Sequence, residues 1–89
     1  MAFYVYIIQS QQDLSFYKGF TQNPPLRVIR HNNGESHYTS AKTPWSLVYV
    51  EELNSKKEAL IREKSLKKYS RHQIDSLILT PKNIVHRFR

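Results

Sequence analysis

The stretch FYVYIIQ (residues 3–9), followed by polar SQQD and then LSFYKGF (residues 14–20), decides how this chain is read. Both runs are rich in β-branched and aromatic residues, and a short polar turn separates them, so they predict a β-hairpin. Side chains alternate along a strand. That places Tyr4, Tyr6 and Ile8 on one face of the first strand and Phe3, Val5 and Ile7 on the other. In the second strand Tyr17 and Gly19 oppose Phe16, Lys18 and Phe20. A glycine there gives up packing, and it marks either a bulge or a place where another backbone or a ligand comes close.

Outward from the hairpin, NPPLRVIRHNNG (residues 23–34) carries the punctuation of a helix. Asn23 suits the N-cap, Pro24 the first turn and Gly34 the C-terminal stop. ESHYTSAKT (residues 35–43) reads as a polar loop and WSLVYVEEL (residues 45–53) as a third strand. SKKE (residues 55–58) is a capping box that opens a basic helix running to about residue 69. A shorter helix is expected over about 71–79, ending before Pro81. The order ββαβαα predicts an α+β fold: a small three-stranded antiparallel sheet flanked by helices. With 89 residues the expectation is a single domain, its core about 3–78 and its tail 80–89.

Composition narrows the class. An apolar content of 39% is enough for one modest core and argues against disorder. The absence of cysteine excludes disulfides and thiolate zinc sites. Histidines at 31, 37, 72 and 86 show no ligand-like spacing. The apolar start lacks a basic flank and is too short for a signal peptide or a membrane span, so a soluble, cytoplasmic protein without membrane contact is expected. Fourteen Lys and Arg against seven Asp and Glu give a net charge of +7. Half of those bases (Lys56, Lys57, Arg62, Lys64, Lys67, Lys68 and Arg71) lie in one segment. Such a face suits a polyanion, nucleic acid foremost, although a solvated lysine-rich helix surface has the same composition.

Within EALIREKSL (residues 58–66) one carboxylate is out of place. A helical wheel puts Ala59, Leu60 and Leu66 on one apolar sector, and Glu63 falls between Ala59 and Leu60. A dry, unpaired carboxylate costs several kcal/mol. Glu63 is therefore either paired or lines a cavity where a positive group meets it. In the first helix Leu26, Val28 and Ile29 are expected inward. Arg27 and His31 stack four residues apart on another face, with Arg30 beside them. That pair could hold a phosphate, or it could be ordinary solvated surface. The six tyrosines are expected to pack with hydroxyls at the sheet rim, and one could act as a base only with positive charge beside it.

These residues, taken in order, resemble a known family. YVY (residues 4–6) and YKG (residues 17–19) look like the two signature triplets of the GIY-YIG endonuclease superfamily. The likeness continues through Arg27, HNNG (residues 31–34), YT (residues 38–39), TPWSLVYVEE (residues 43–52) and EALIREKSLKK (residues 58–68), and is strongest to its small stand-alone bacterial members. Tyr4 stands where the first triplet has glycine, and Lys18 where the second has an aliphatic residue.

The resemblance implies a divalent-metal-dependent endonuclease acting on DNA, with Mg²⁺ or Mn²⁺ as cofactor. Glu63 matches the metal-binding glutamate and Arg27 the arginine that stabilises the scissile phosphate. Tyr6 and Tyr17 match the tyrosines that frame the site, the second being the favoured base. His31 matches a supporting catalytic histidine. Longer members carry an asparagine beyond the glutamate, for which the nearest candidate here is Asp75. Phosphate contacts are expected from Lys18, Arg30, Lys42, Arg62, Lys64, Lys67, Lys68 and Arg71, with a protein partner supplying target choice. Two rivals remain at this level: a nucleic-acid-binding module without turnover, and a protein-interaction subunit whose basic helix docks an acidic partner.

Overall fold

The computed structural model describes residues 2–89. β1 (Phe3–Ser10) pairs antiparallel with β2 (Phe16–Thr21), Tyr6 facing Gly19 and Ile8 facing Tyr17. β3 (Trp45–Leu53) pairs antiparallel with the other side of β1, giving a three-stranded sheet in the order β2-β1-β3. The expected α+β architecture is present. The register irregularity lies between β1 and β3 at Ile7 and Ile8, and β1 pairs with β2 without interruption past Gly19. Close approach, not a bulge, is what the glycine serves.

Alternation along β1 builds two cores. Val5 and Ile7 pack on one face with Tyr49, with Ala59 and Leu66 of α3 (Lys56–Leu66), and with Ile74 and Leu77 of α4 (Arg71–Ile78). Tyr6 and Ile8 pack on the other face with Trp45, Val50 and Val85, and Val28 of the first helix (Pro24–Asn32, α1) joins them. The sheet is therefore a middle layer between α3 and α4 on one side and α1 on the other.

Caps set the helix starts. The Asn23 side chain accepts from the Leu26 N–H, and Pro24 needs no partner in the first turn. Ser55 accepts from the Glu58 N–H at 3.1 Å. Ser70 and Gln73 form a reciprocal capping box that opens α4. α3 ends at Leu66, short of residue 69, and the polar loop contains one helical turn, α2 (His37–Ser40).

Two expected faces are corrected. Leu26 and Ile29 are 42% and 54% exposed, while Pro24 and His31 are the buried residues of α1. A buried polar group without a partner is costly, and the sheet offers α1 a buried tyrosine hydroxyl; the helix turns its histidine toward it. On α3, Leu60 is exposed and only Ala59 and Leu66 are buried, which leaves a narrow apolar stripe.

The tail, from which little could be read, closes one sheet edge. Asn83 donates to the carbonyls of Val48 and Ile78, both at 2.9 Å, and accepts from the N–H groups of Val50 and Val85. The Ile84 N–H bonds the Val50 carbonyl, and a 3₁₀ turn (Val85–Phe88) follows. Covering the outer side of β3 in this way leaves β2 as the open edge.

Candidate active site

Gly19 is where the site begins. A Cβ there would stand 2.6 Å from the Tyr6 hydroxyl oxygen and 2.8 Å from Cζ, so the Tyr6 ring lies directly over the glycine. This passage carries the phenol across β2 to α1, where its oxygen meets His31 Nε2 at 2.8 Å. On the far side of the imidazole, Nδ1 meets Thr39 Oγ1, also at 2.8 Å. The Trp45 indole N–H donates to the Thr39 carbonyl at 2.9 Å. Tyr6, His31 and Thr39 are all buried. His31 is thus not part of a solvated surface, and the Tyr6 hydroxyl is not at the rim.

Electrostatics draw three further residues to this point. Burial first, and the Arg27 guanidinium second, push His31 down to about 4, so its imidazole is neutral at neutral pH. Burial also holds the Tyr6 phenol well above its ordinary value; Arg27 pulls the other way, while Tyr17 and Glu63 push it further up. Arg27 from α1, Tyr17 from β2 and Glu63 from α3 therefore act on the same hydroxyl, although α1 and α3 pack on opposite faces of the sheet.

A cavity of about 310 Å³ opens beside β2, lined by Phe16, Tyr17, Lys18, Tyr38 and Lys67. Tyr17 is half-buried, its ring edge-on to His31 at 5.0 Å and tilted against Tyr38 at 5.8 Å. Burial lowers the Lys18 ammonium from its usual value. Glu63 keeps 17% of its side chain exposed and pairs with Lys67 at 3.7 Å, a long contact across one helical turn. Among the described residues no group of three or more His, Cys, Asp or Glu could hold a metal ion. The donor set is one carboxylate, and it fits a hard ion such as Mg²⁺, which keeps several waters and takes one or two carboxylates plus phosphate oxygens. It does not fit zinc.

The basic residues divide. Lys64, Lys67 and Lys68 on or just after α3, and Arg30 on α1, are exposed. Arg62 is turned inward: its Nε donates to Glu51 at 3.0 Å, and its guanidinium lies 5.8 Å from the Tyr69 ring. Glu51 also accepts from the Tyr49 hydroxyl at 2.6 Å, so Arg62 completes a structural network instead of the basic surface. Arg71 donates to the Leu14 carbonyl at 2.8 Å and covers Phe16, and Lys42 pairs with Asp13 at 3.4 Å. Asp75 is exposed on α4. The asparagine beyond Glu63 that carries a structural load is Asn83.

Sequence reasoning missed Thr39 and Trp45 as supports of His31. Their only signal was membership of the YT and TPW stretches.

Comparison with known proteins bears on the family and the fold. The family model for the GIY-YIG catalytic domain matches residues 2–75. A UPF0213 protein of Staphylococcus saprophyticus is 41% identical over 76 residues, covering 84% of this chain and 92% of that one. One from Natronomonas pharaonis is 40% identical over 76 residues, covering 84% and 88%. The solution NMR structure of a UPF0213 protein from Bacillus halodurans is 30% identical and superimposes with a TM-score of 0.59, covering 99% of this chain and 94% of that one. The chain belongs to the GIY-YIG family.

Proposed function

We propose that this protein is a divalent-metal-dependent endonuclease that hydrolyses DNA phosphodiester bonds. The observation that carries this reading is the common electrostatic influence of Arg27, Tyr17 and Glu63 on the buried Tyr6 hydroxyl, with Tyr17 also lining the open cavity. The Arg27 guanidinium would grip phosphodiester oxygens in a bidentate fork. Glu63 would hold Mg²⁺ or Mn²⁺, and the ion would supply Lewis-acid stabilisation of charge on the phosphate. Tyr17, at the cleft wall with Lys18 and Lys67, would act on an attacking water as the phenolate, its own proton first lost to solvent, and take the water's proton. Tyr6 is buried with its hydroxyl committed to His31, so it holds the imidazole and the strand edge in place. Exposed Tyr38 and half-buried Phe16 give bases an aromatic surface to stack on, which favours nucleic acid over a small phosphate ester. Lys64, Lys67 and Lys68 would contact the backbone, and affinity would fall steeply with salt.

The test is nicking of supercoiled and branched DNA at low salt, with Mg²⁺, Mn²⁺ or EDTA, by wild type and Glu63→Gln. Metal-dependent cuts that vanish in the variant are expected, with binding retained. Salt-sensitive binding by both proteins without any cutting would replace the nuclease with a binding module.

A further inference from the structure

We propose that Thr39 is a positioning residue that fixes His31 in its Nδ1–H tautomer and so keeps Nε2 as the acceptor for the Tyr6 hydroxyl. A neutral imidazole has one donor nitrogen and one acceptor nitrogen, and here each nitrogen faces a hydroxyl oxygen at 2.8 Å. Hydroxyls can donate or accept, so the two distances alone permit both tautomers.

The neighbours of each hydroxyl decide between them. Thr39 Oγ1 lies 3.4 Å from the Ser36 carbonyl, which also accepts from the Thr39 and Ser40 N–H groups at 3.2 and 3.0 Å; a threonine proton directed to that oxygen leaves its lone pairs facing His31. At the other end, His31 Nε2 is the one hydrogen-bond partner of the Tyr6 hydroxyl among the described residues, so the phenol proton has no other acceptor there. The Tyr6 proton must then go to His31 Nε2. Both ends give the same direction: Tyr6 donates to Nε2, Nδ1–H donates to Thr39, and Thr39 donates to Ser36.

The reverse arrangement would leave the Tyr6 proton in a buried site without an acceptor among the described residues, at the cost of an unsatisfied polar group. Thr39 is also anchored independently of its hydroxyl, because the Trp45 indole bonds its carbonyl. Thr39→Val therefore removes the orienting oxygen while leaving that main-chain anchor in place.

Ring ¹H–¹⁵N correlation spectra of ¹⁵N-labelled protein read the tautomer directly, without DNA or metal. Wild type and Thr39→Ser are expected to show a protonated Nδ1 and a bare Nε2 on His31. Thr39→Val strands the Nδ1–H without an acceptor and is expected to lose that pattern in part, shifting a fraction of the proton to Nε2 against the Tyr6 hydroxyl. A wild-type spectrum with the proton on Nε2 would overturn the proposal, and it decides the matter even if Thr39→Val does not fold. So would a Thr39→Val spectrum identical to wild type.

The consequence for catalysis rests on the nuclease reading. There, turnover of Thr39→Val should drop on the order of tenfold or more with KM little changed, and Thr39→Ser should restore it. A shifted tautomer with undiminished nicking would refute the positioning role. A wild type that shows the expected tautomer but never nicks DNA would count against the nuclease reading alone.

Discussion

Gly19→Ala is the substitution whose outcome depends most directly on the geometry described above. An alanine in a strand ordinarily stabilises relative to glycine, because the unfolded chain loses less freedom on folding. Here the opposite sign is expected. The added Cβ would sit 2.6 Å from the Tyr6 hydroxyl oxygen, and reaching an ordinary 3.4 Å contact requires a retreat of about 0.8 Å. Tyr6 is 1% exposed and bonded to His31, so no solvent-side rotamer is at hand. Overpacking of this kind costs about 1–3 kcal/mol. Breaking the Tyr6–His31 bond inside the core adds about 1–3 kcal/mol for the groups left unsatisfied. A total of roughly 2–6 kcal/mol is a large share of a small domain's stability and corresponds to a fall in Tm of about 10 °C or more. Urea and thermal unfolding, followed by circular dichroism, measure it. The same substitution made in a Tyr6→Leu background should cost much less, since the two sites are in contact and their effects are coupled. A Gly19→Ala protein within about 0.5 kcal/mol of wild type, or one equally damaged in both backgrounds, would refute the reasoning.

Two further outcomes follow from the buried and half-buried charges. His31 is held at about 4 when folded against an ordinary 6.5, so the unfolded chain binds the extra proton between those values and stability falls as pH drops through that window. The loss should approach about 3 kcal/mol by its acid end. Urea unfolding across the range measures it, and equal slopes for wild type and His31→Gln would count against the assignment. The basic residues should also separate into two classes. Arg62→Met should cost about 2 kcal/mol or more by stranding Glu51, whose side chain is 19% exposed, yet leave the salt dependence of DNA binding unchanged. Lys68→Ala should do the reverse, lowering the salt slope by about one with little effect on stability. Equal salt slopes for Lys68→Ala and wild type would show that the helix surface is not the DNA contact.

The hairpin, the third strand and the faces of β1 were legible because strand alternation is local: each residue's side follows from its neighbour's. Asn23, Ser55 and the stop after α1 were legible for the same reason. The orientation of α1 was not. Reading Leu26 and Ile29 as inward assumes that the apolar face is the buried one. A nine-residue helix can be overruled by a single polar demand from the sheet, and Tyr6 makes that demand. The basic segment misled in a related way. Counting charges cannot show that Arg62 has a carboxylate waiting on β3, since Glu51 is eleven residues away in sequence and on another element. The Asn83 clasp was illegible because its partners at Val48 and Val50 lie more than thirty residues upstream. As for the site, Tyr6, Tyr17, Arg27, His31 and Glu63 were all singled out from the sequence. What could not be read was the buried Tyr6–His31–Thr39 hydrogen-bond chain.

The sheet keeps one edge open. β1 is central, and the tail through Asn83 and Ile84 occupies the outer side of β3. β2 remains free, and its cost is an exposed edge prone to pairing with other chains. Lys18 on that strand, with Lys67 across the cavity, places positive charge where another strand would have to approach. The same two ammonium groups suit a phosphate backbone. Protection of the edge and attraction of a polyanion are then one arrangement. It holds together only while position 19 has no side chain, since that gap lets Tyr6 pass over β2 to His31.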